Sequence, residues 1–177
     1  MKPVRLLAVG VLITVVGILA PFVGGGTAQA AVGDLTCAAT IRISLSPPLT
    51  ASNTTANVSL AATLSSCTSV NGAFSRLSSA TVTATGTATS QGLAPCNLLL
   101  TIHARATFTW KTGETSHGDV TISTDPLHSV GTAIVRVTSG PLTGDTGTHV
   151  AAITPNVDCL LTGLHTITSP AAAVSFN

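Results

Sequence analysis

The chain has no tyrosine, a single tryptophan and four phenylalanines, and only 7% of its 177 residues are charged. So few aromatics cannot form the interfacial girdles of a membrane β-barrel. No cluster of Lys and Arg is present to neutralise a phosphate backbone, which argues against a nucleic-acid partner. None of the four cysteines forms a CxxC pair, so cysteine ligation of a metal has no supporting spacing. There is no Gly-x-Ser-x-Gly elbow and no cofactor-binding loop. No segment carries a convincing helical period, no linker divides two domains, and no repeat of fixed length occurs.

What is present begins with an address. Lys2 and Arg5 precede an uncharged apolar run, Leu6–Val23, and Ala28-Gln29-Ala30 is a small-x-small cleavage signature. The run approaches the ~18 residues that span a bilayer. Pro21, the glycines at 24–26 and the cleavage site favour a signal peptide over residues 1–30, removed on export. The mature segment, 31–177, is then one exported domain of ordinary size, with no apolar run left to insert into a membrane. It keeps Arg42, Arg76, Arg105, Lys111 and Arg136 against six acidic residues, a net charge of about −1.

The rest is strand. Leu98–Ser116 is the longest two-residue alternation, with Leu98, Leu100, Ile102, Ala104, Ala106, Phe108 and Trp110 on one face and His103, Arg105 and threonines on the other. Lys111–Glu114 supplies a turn. Alternation also marks Leu35–Leu45 (ended by Pro47-Pro48), Ala56–Ser66, Arg76–Thr89, Gly118–Ser123, Thr132–Ser139, Thr148–Thr154 and Cys159–Asn177. The inward face of Arg76–Thr89 is almost all Ala and Gly, so it must lie against something bulky such as Phe108 and Trp110. About eight strands with short connections predict alternating directions. Cys37 and Cys67 then fall at one end, and Cys96 and Cys159 at the other. Of three pairings, Cys37–Cys67 with Cys96–Cys159 is the one such a chain permits. Each bridge contributes ~3–4 kcal/mol by constraining the unfolded chain. In a closed up-and-down barrel the fourth and eighth strands face each other across the lumen, too far apart for a bridge without help from loops. The expected fold is therefore a single antiparallel β-sandwich, immunoglobulin-like in broad architecture, with an eight-stranded up-and-down barrel as the alternative.

Candidate chemistry is sparse. Glu114, His117 and Asp119 lie within six residues, with Asp125 and His128 beyond, and imidazole with carboxylate suits zinc. A solvated hairpin carries the same residues, and no metal, cofactor or catalytic residue is assigned. His103 and Arg105, side by side on the outer face, could meet a ligand. His149 and His165 stand alone as structural or exposed residues, and Trp110 reads as a core plug. Asn53-Thr54-Thr55 and Asn57-Val58-Ser59 match the glycosylation pattern, which matters only in a glycosylating host.

The mature chain resembles a group of small exported actinobacterial proteins of unknown function. The likeness runs from Cys37 through Ser46–Thr50, Cys67, the Thr/Ala/Gly strand ending near Cys96, Trp110-x-x-Gly113-x-x-Ser116, Val137–Gly140, Gly144-Asp145 and Cys159. It implies a secreted all-β domain and carries no activity. The final Ala-Val-Ser-Phe-Asn is also similar to the last strand of neocarzinostatin-type enediyne-binding apoproteins. That likeness covers one strand and implies ligand binding without assigning residues. The sequence thus points to a non-enzymatic secreted domain that binds an envelope protein, a glycan or a small apolar ligand. A pocketed small-molecule carrier is the alternative, and a metal-dependent hydrolase built on Glu114, His117 and Asp119 is the more distant one.

Overall fold

Alternating apolar and polar residues become nine strands in a computed structural model that describes residues 34–91, 96, 99–125 and 130–177. They are β1 (Leu35–Leu49), β2 (Thr55–Thr68), β3 (Ala80–Ser90), β4 (Leu100–Trp110), β5 (Thr115–Asp125), β6 (Val130–Ser139), β7 (Thr146–Ala152), β8 (Thr154–Pro155) and β9 (Leu164–Phe176). A single turn of helix, α1 (Cys159–Thr162), precedes β9. Residues 1–30, expected to form a signal segment, Leu98 and His128 lie outside the described residues.

The strands follow one another around a ring, each antiparallel to the next, and β9 closes it by pairing with β1 from Leu35↔Phe176 to Leu49↔Leu164. The result is a closed antiparallel barrel of eight strands, with the two-residue β8 as an extra piece alongside β9. This corrects the sandwich in favour of the barrel. The objection to a barrel was the Cys96–Cys159 bridge, and loops remove it. Cys96 lies in the connection before β4 and Cys159 in α1, so the bridge (Cα–Cα 5.8 Å) joins two connections at one mouth rather than two strands across the lumen. Cys37–Cys67 staples β1 to β2 near the other mouth.

Inside and outside follow strand parity. Ile102, Ala104, Ala106, Phe108 and Trp110 are buried on β4, while His103, Arg105 and Thr109 are exposed. Ala80 sits opposite Trp110 and Val82 opposite Phe108, so the small face of β3 does lie beside the bulky end of β4. Phe108 stacks against Trp110 (centroids 6.2 Å, 14°) and meets Phe176 edge-on (6.2 Å, 78°). The Trp110 indole N–H donates to Ser116 Oγ at 2.9 Å, and that hydroxyl donates to the Pro141 carbonyl at 2.7 Å. With Leu35, Leu77 and Leu142 buried around them, these rings close the lower mouth. Leu45, Leu49, Leu100, Leu164 and Ile167 fill the upper end.

Three local details depart from the sequence expectation. β1 runs on through Pro47-Pro48 to Leu49, but its ladder with β2 stops at Ser46↔Asn57, as residues without an N–H require. β9 is continuous through Pro170, yet its register slips between Ala39↔Ala172 and Ile41↔Ser169. That extra residue is a bulge and reverses which parity faces inward: Ile167 and Ser169 are buried before it, Val174 and Phe176 after it. Cys159 opens α1 rather than a strand.

Gly86 marks the tightest strand contact. A Cβ there would lie 2.0 Å from the His103 carbonyl oxygen and 2.5 Å from Ala104 Cα, both backbone atoms of β4. Gly86→Ala must push β3 and β4 apart. It is expected to cost about 1–3 kcal/mol, read as a lower midpoint in urea with an unchanged slope.

Candidate functional site

The hairpin β4–β5 carries most of the charged side chains singled out in the sequence, and its register decides which of them meet. Thr109 pairs with Thr115 across the Lys111–Glu114 turn, and counting back places Arg105 opposite Asp119 and His103 opposite Thr121. Both pairs face outward. Arg105 Nε lies 3.8 Å from Asp119 Oδ1, with both side chains well exposed. The His103 imidazole Nδ1 is 3.4 Å from Thr121 Oγ1. β3 adds Thr85 beside Arg105 and Thr87 beside His103.

These side chains wall an open trough of about 400 Å3 on the outside of the barrel, floored by Gly86, Ala104 and Val120. The floor is low because Gly86, Ala104 and Val120 all fall on the inward parity of their strands, leaving only backbone on the outer face between the flanking side chains. A guanidinium, a carboxylate, an imidazole and three threonine hydroxyls thus converge on one concavity. A second trough of about 510 Å3 crosses β9, β1, β2 and β3, but Arg42 is the only charged residue that lines it.

The hairpin cluster read as a possible zinc nucleus does not assemble. Glu114 accepts from Arg76 Nε and Nη2, each at 3.0 Å, and from Thr112 at 2.8 Å. The Arg76 bonds, and then that of Thr112, hold its carboxyl below the usual range. His117 Nδ1 is 3.2 Å from Thr107 Oγ1, and Asp119 faces Arg105. Each residue has its own partner. Among the described residues no three His, Cys, Asp or Glu side chains group to hold a metal. The side chain of Asp125, like His128, lies outside the described residues.

The lumen holds a residue the sequence left unplaced. His149 faces inward from β7 and is buried. Its Nδ1 lies 3.1 Å from the Ala173 carbonyl, so Nδ1 carries the proton and donates. Burial pushes its pKa down, and the bond to Ala173 opposes this only in part. The imidazole borders a cavity of about 60 Å3 whose other walls are apolar. Trp110, by contrast, is the expected plug, and His165 is a half-buried residue beside α1.

One further surface stands out. Val157 is fully exposed and Leu160 and Leu161 are each 90% exposed on the tip formed by α1. Asn156 fixes this tip, donating to Gly163 O (3.1 Å) and accepting from the His165 N–H (3.0 Å). Among the described residues no helix is long and apolar enough to cross a membrane.

Neither a protein-family model nor a curated protein matches the chain.

The buried imidazole gives the barrel an acid sensitivity. The His149 pKa is lower folded than its ordinary 6.5. As pH falls through that value the unfolded chain takes up a proton that the folded chain refuses, and stability declines until the folded pKa is reached. Asp145 works the other way: burial, then the Asp34 charge, raises its pKa, which favours the fold once it is protonated in stronger acid. Unfolding free energy is expected to drop between about pH 7 and 5, with a flatter profile in His149→Gln, as denaturant titrations at several pH values would show.

Proposed function

We propose that the protein is an exported, non-enzymatic β-barrel that acts by binding a hydroxyl-rich ligand, an envelope glycan, in the outer trough of β3, β4 and β5. The observation that carries this reading is the convergence of Arg105, Asp119, His103 and three threonines on one exposed concavity. Adjacent sugar hydroxyls both donate and accept, so an open guanidinium–carboxylate pair offers each of them a partner. The pair is loose and solvated, which leaves both groups free to exchange water for ligand.

Export is supported by the signal-like residues 1–30 and by two disulfides, which persist in oxidising compartments. A polar outer face and an apolar lumen are the reverse of a lipid-facing barrel and suit a mature domain that stays out of the bilayer. The resemblance to small exported actinobacterial proteins accords with the same address. A hydrolase draws no support from the hairpin, whose acidic and imidazole groups are separately partnered. A carrier of drug-sized molecules needs ~300–1,000 Å3, and the enclosed lumen offers about 60 Å3.

Co-sedimentation of the oxidised mature domain with insoluble cellulose, chitin and peptidoglycan tests this. Retention on at least one, reduced about tenfold or more in Arg105→Ala/Asp119→Ala, is the expected result. No retention on any of them, or equal retention of the double variant, would overturn it.

A further inference from the structure

The ring of strands is incomplete at one place. β7 pairs with β9 only over Gly147–His149, opposite Val174–Phe176, and β8 pairs with it again only at Thr168 and Ile167. Between these two ladders, residues 169–173 of β9 pair with no strand on that side. The bulge around Pro170, in the ladder to β1 on the other edge of β9, falls at the same residues. His149 bridges it, since its ring donates to the Ala173 carbonyl that a neighbouring strand would otherwise have satisfied.

Two small spaces meet at the same imidazole. The lumen cavity of about 60 Å3 is lined by Ala39, Ala62, Ala106 and Ala133 among larger Leu, Ile, Val and Phe side chains. The second space, of about 20 Å3, lies under the seam and is bordered by His149, Ile153, Ile167 and Ser169. Ser169 is buried, and its Oγ has no hydrogen-bond partner in the protein. Among the described residues nothing donates to His149 Nε2, which the Nδ1 tautomer leaves as a bare acceptor. A buried hydroxyl without a partner is destabilising. Here the unsatisfied group lies beside an apolar void rather than within packed side chains.

We infer that the barrel interior is a binding site for a small neutral aliphatic molecule bearing one hydroxyl. Its body occupies the apolar lumen cavity, and its hydroxyl occupies the chamber of His149 and Ser169. A hydroxyl both donates and accepts, so it satisfies the imidazole Nε2 and the serine together. A cavity of this size holds a body of only a few carbon atoms, since ~150 Å3 is enough for benzene. A carboxylate or ammonium is excluded by the cost of burying charge without a counter-ion. This site is separate from the outer trough and does not depend on it.

The test uses the oxidised mature domain with 13C-labelled alanine methyls, titrated with 1-propanol and, separately, equilibrated with xenon. Both probes are expected to shift the methyls of Ala39, Ala106 and Ala133 saturably. Ala106→Leu, or Ala133→Val should the first not fold, is expected to abolish both responses. Ser169→Ala is expected to weaken propanol about three- to tenfold, the worth of one hydrogen bond, and to leave xenon unchanged. Absence of a saturable shift with either probe, or persistence of the shifts in the filled variants, would refute an interior site. Equal propanol affinity in Ser169→Ala would refute the hydroxyl-bearing ligand and leave an apolar void. A chamber filled by one tightly held water that propanol does not displace would refute it equally.

Discussion

Closure of the ring between the first and last strands is the constraint on which this structure rests. The β1–β9 ladder joins Leu35 to Phe176 and Leu49 to Leu164, so segments at opposite ends of the domain must meet before either has a complete set of backbone partners. An unpaired buried N–H or carbonyl is costly, and a sheet rolled part-way would also leave its apolar face wet. The ladder therefore holds the lumen shut as well as the sheet together. Ordering so long an intervening chain is entropically expensive, and contacts this far apart in sequence are made late and slowly. The disulfides shorten that search: Cys37–Cys67 fixes the first hairpin, and Cys96–Cys159 brings the β3–β4 connection to the entrance of β9.

Small residues then decide the shape. Gly86 lets β3 press against the β4 backbone, and Gly147 makes room for Phe176, whose ring would lie 2.7 Å from a Cβ there. The lumen mixes four alanines with larger branched and aromatic side chains around its cavity.

Much of this was legible in the residues themselves. Strict alternation from Ile102 to Trp110 fixed the faces of β4, and that put His103 and Arg105 outside. Chain reversal alone paired the cysteines. Asp119 opposite Arg105 follows from the length of the Lys111–Glu114 turn, once the register is counted through it. The closed topology was hidden because Cys159 reads as the opening of the last strand, whereas it lies in α1, and Cys96 lies in the connection before β4. His149 was hidden for another reason. Around it Gly147, His149 and Ala151 alternate with Thr148, Val150 and Ala152, so neither parity is clearly the apolar one. The bulge at Pro170 likewise flips the faces of β9 midway, and a two-residue period read across it averages to nothing.

The seam beside β9 also bears on how the molecule avoids its own kind. A chain this rich in threonine and valine, and this poor in charge, has the composition of a good template for strand addition by other copies. Among the described residues, rolling the sheet into a ring leaves short open intervals, one of them flanked by β7 and β8. Pro170 occupies that interval: it has no N–H to offer an incoming strand, and the bulge around it bends the backbone out of register. The imidazole of His149 takes one of the remaining carbonyls. This breach in the barrel wall is thus also a place where the sequence is poorly able to recruit another molecule.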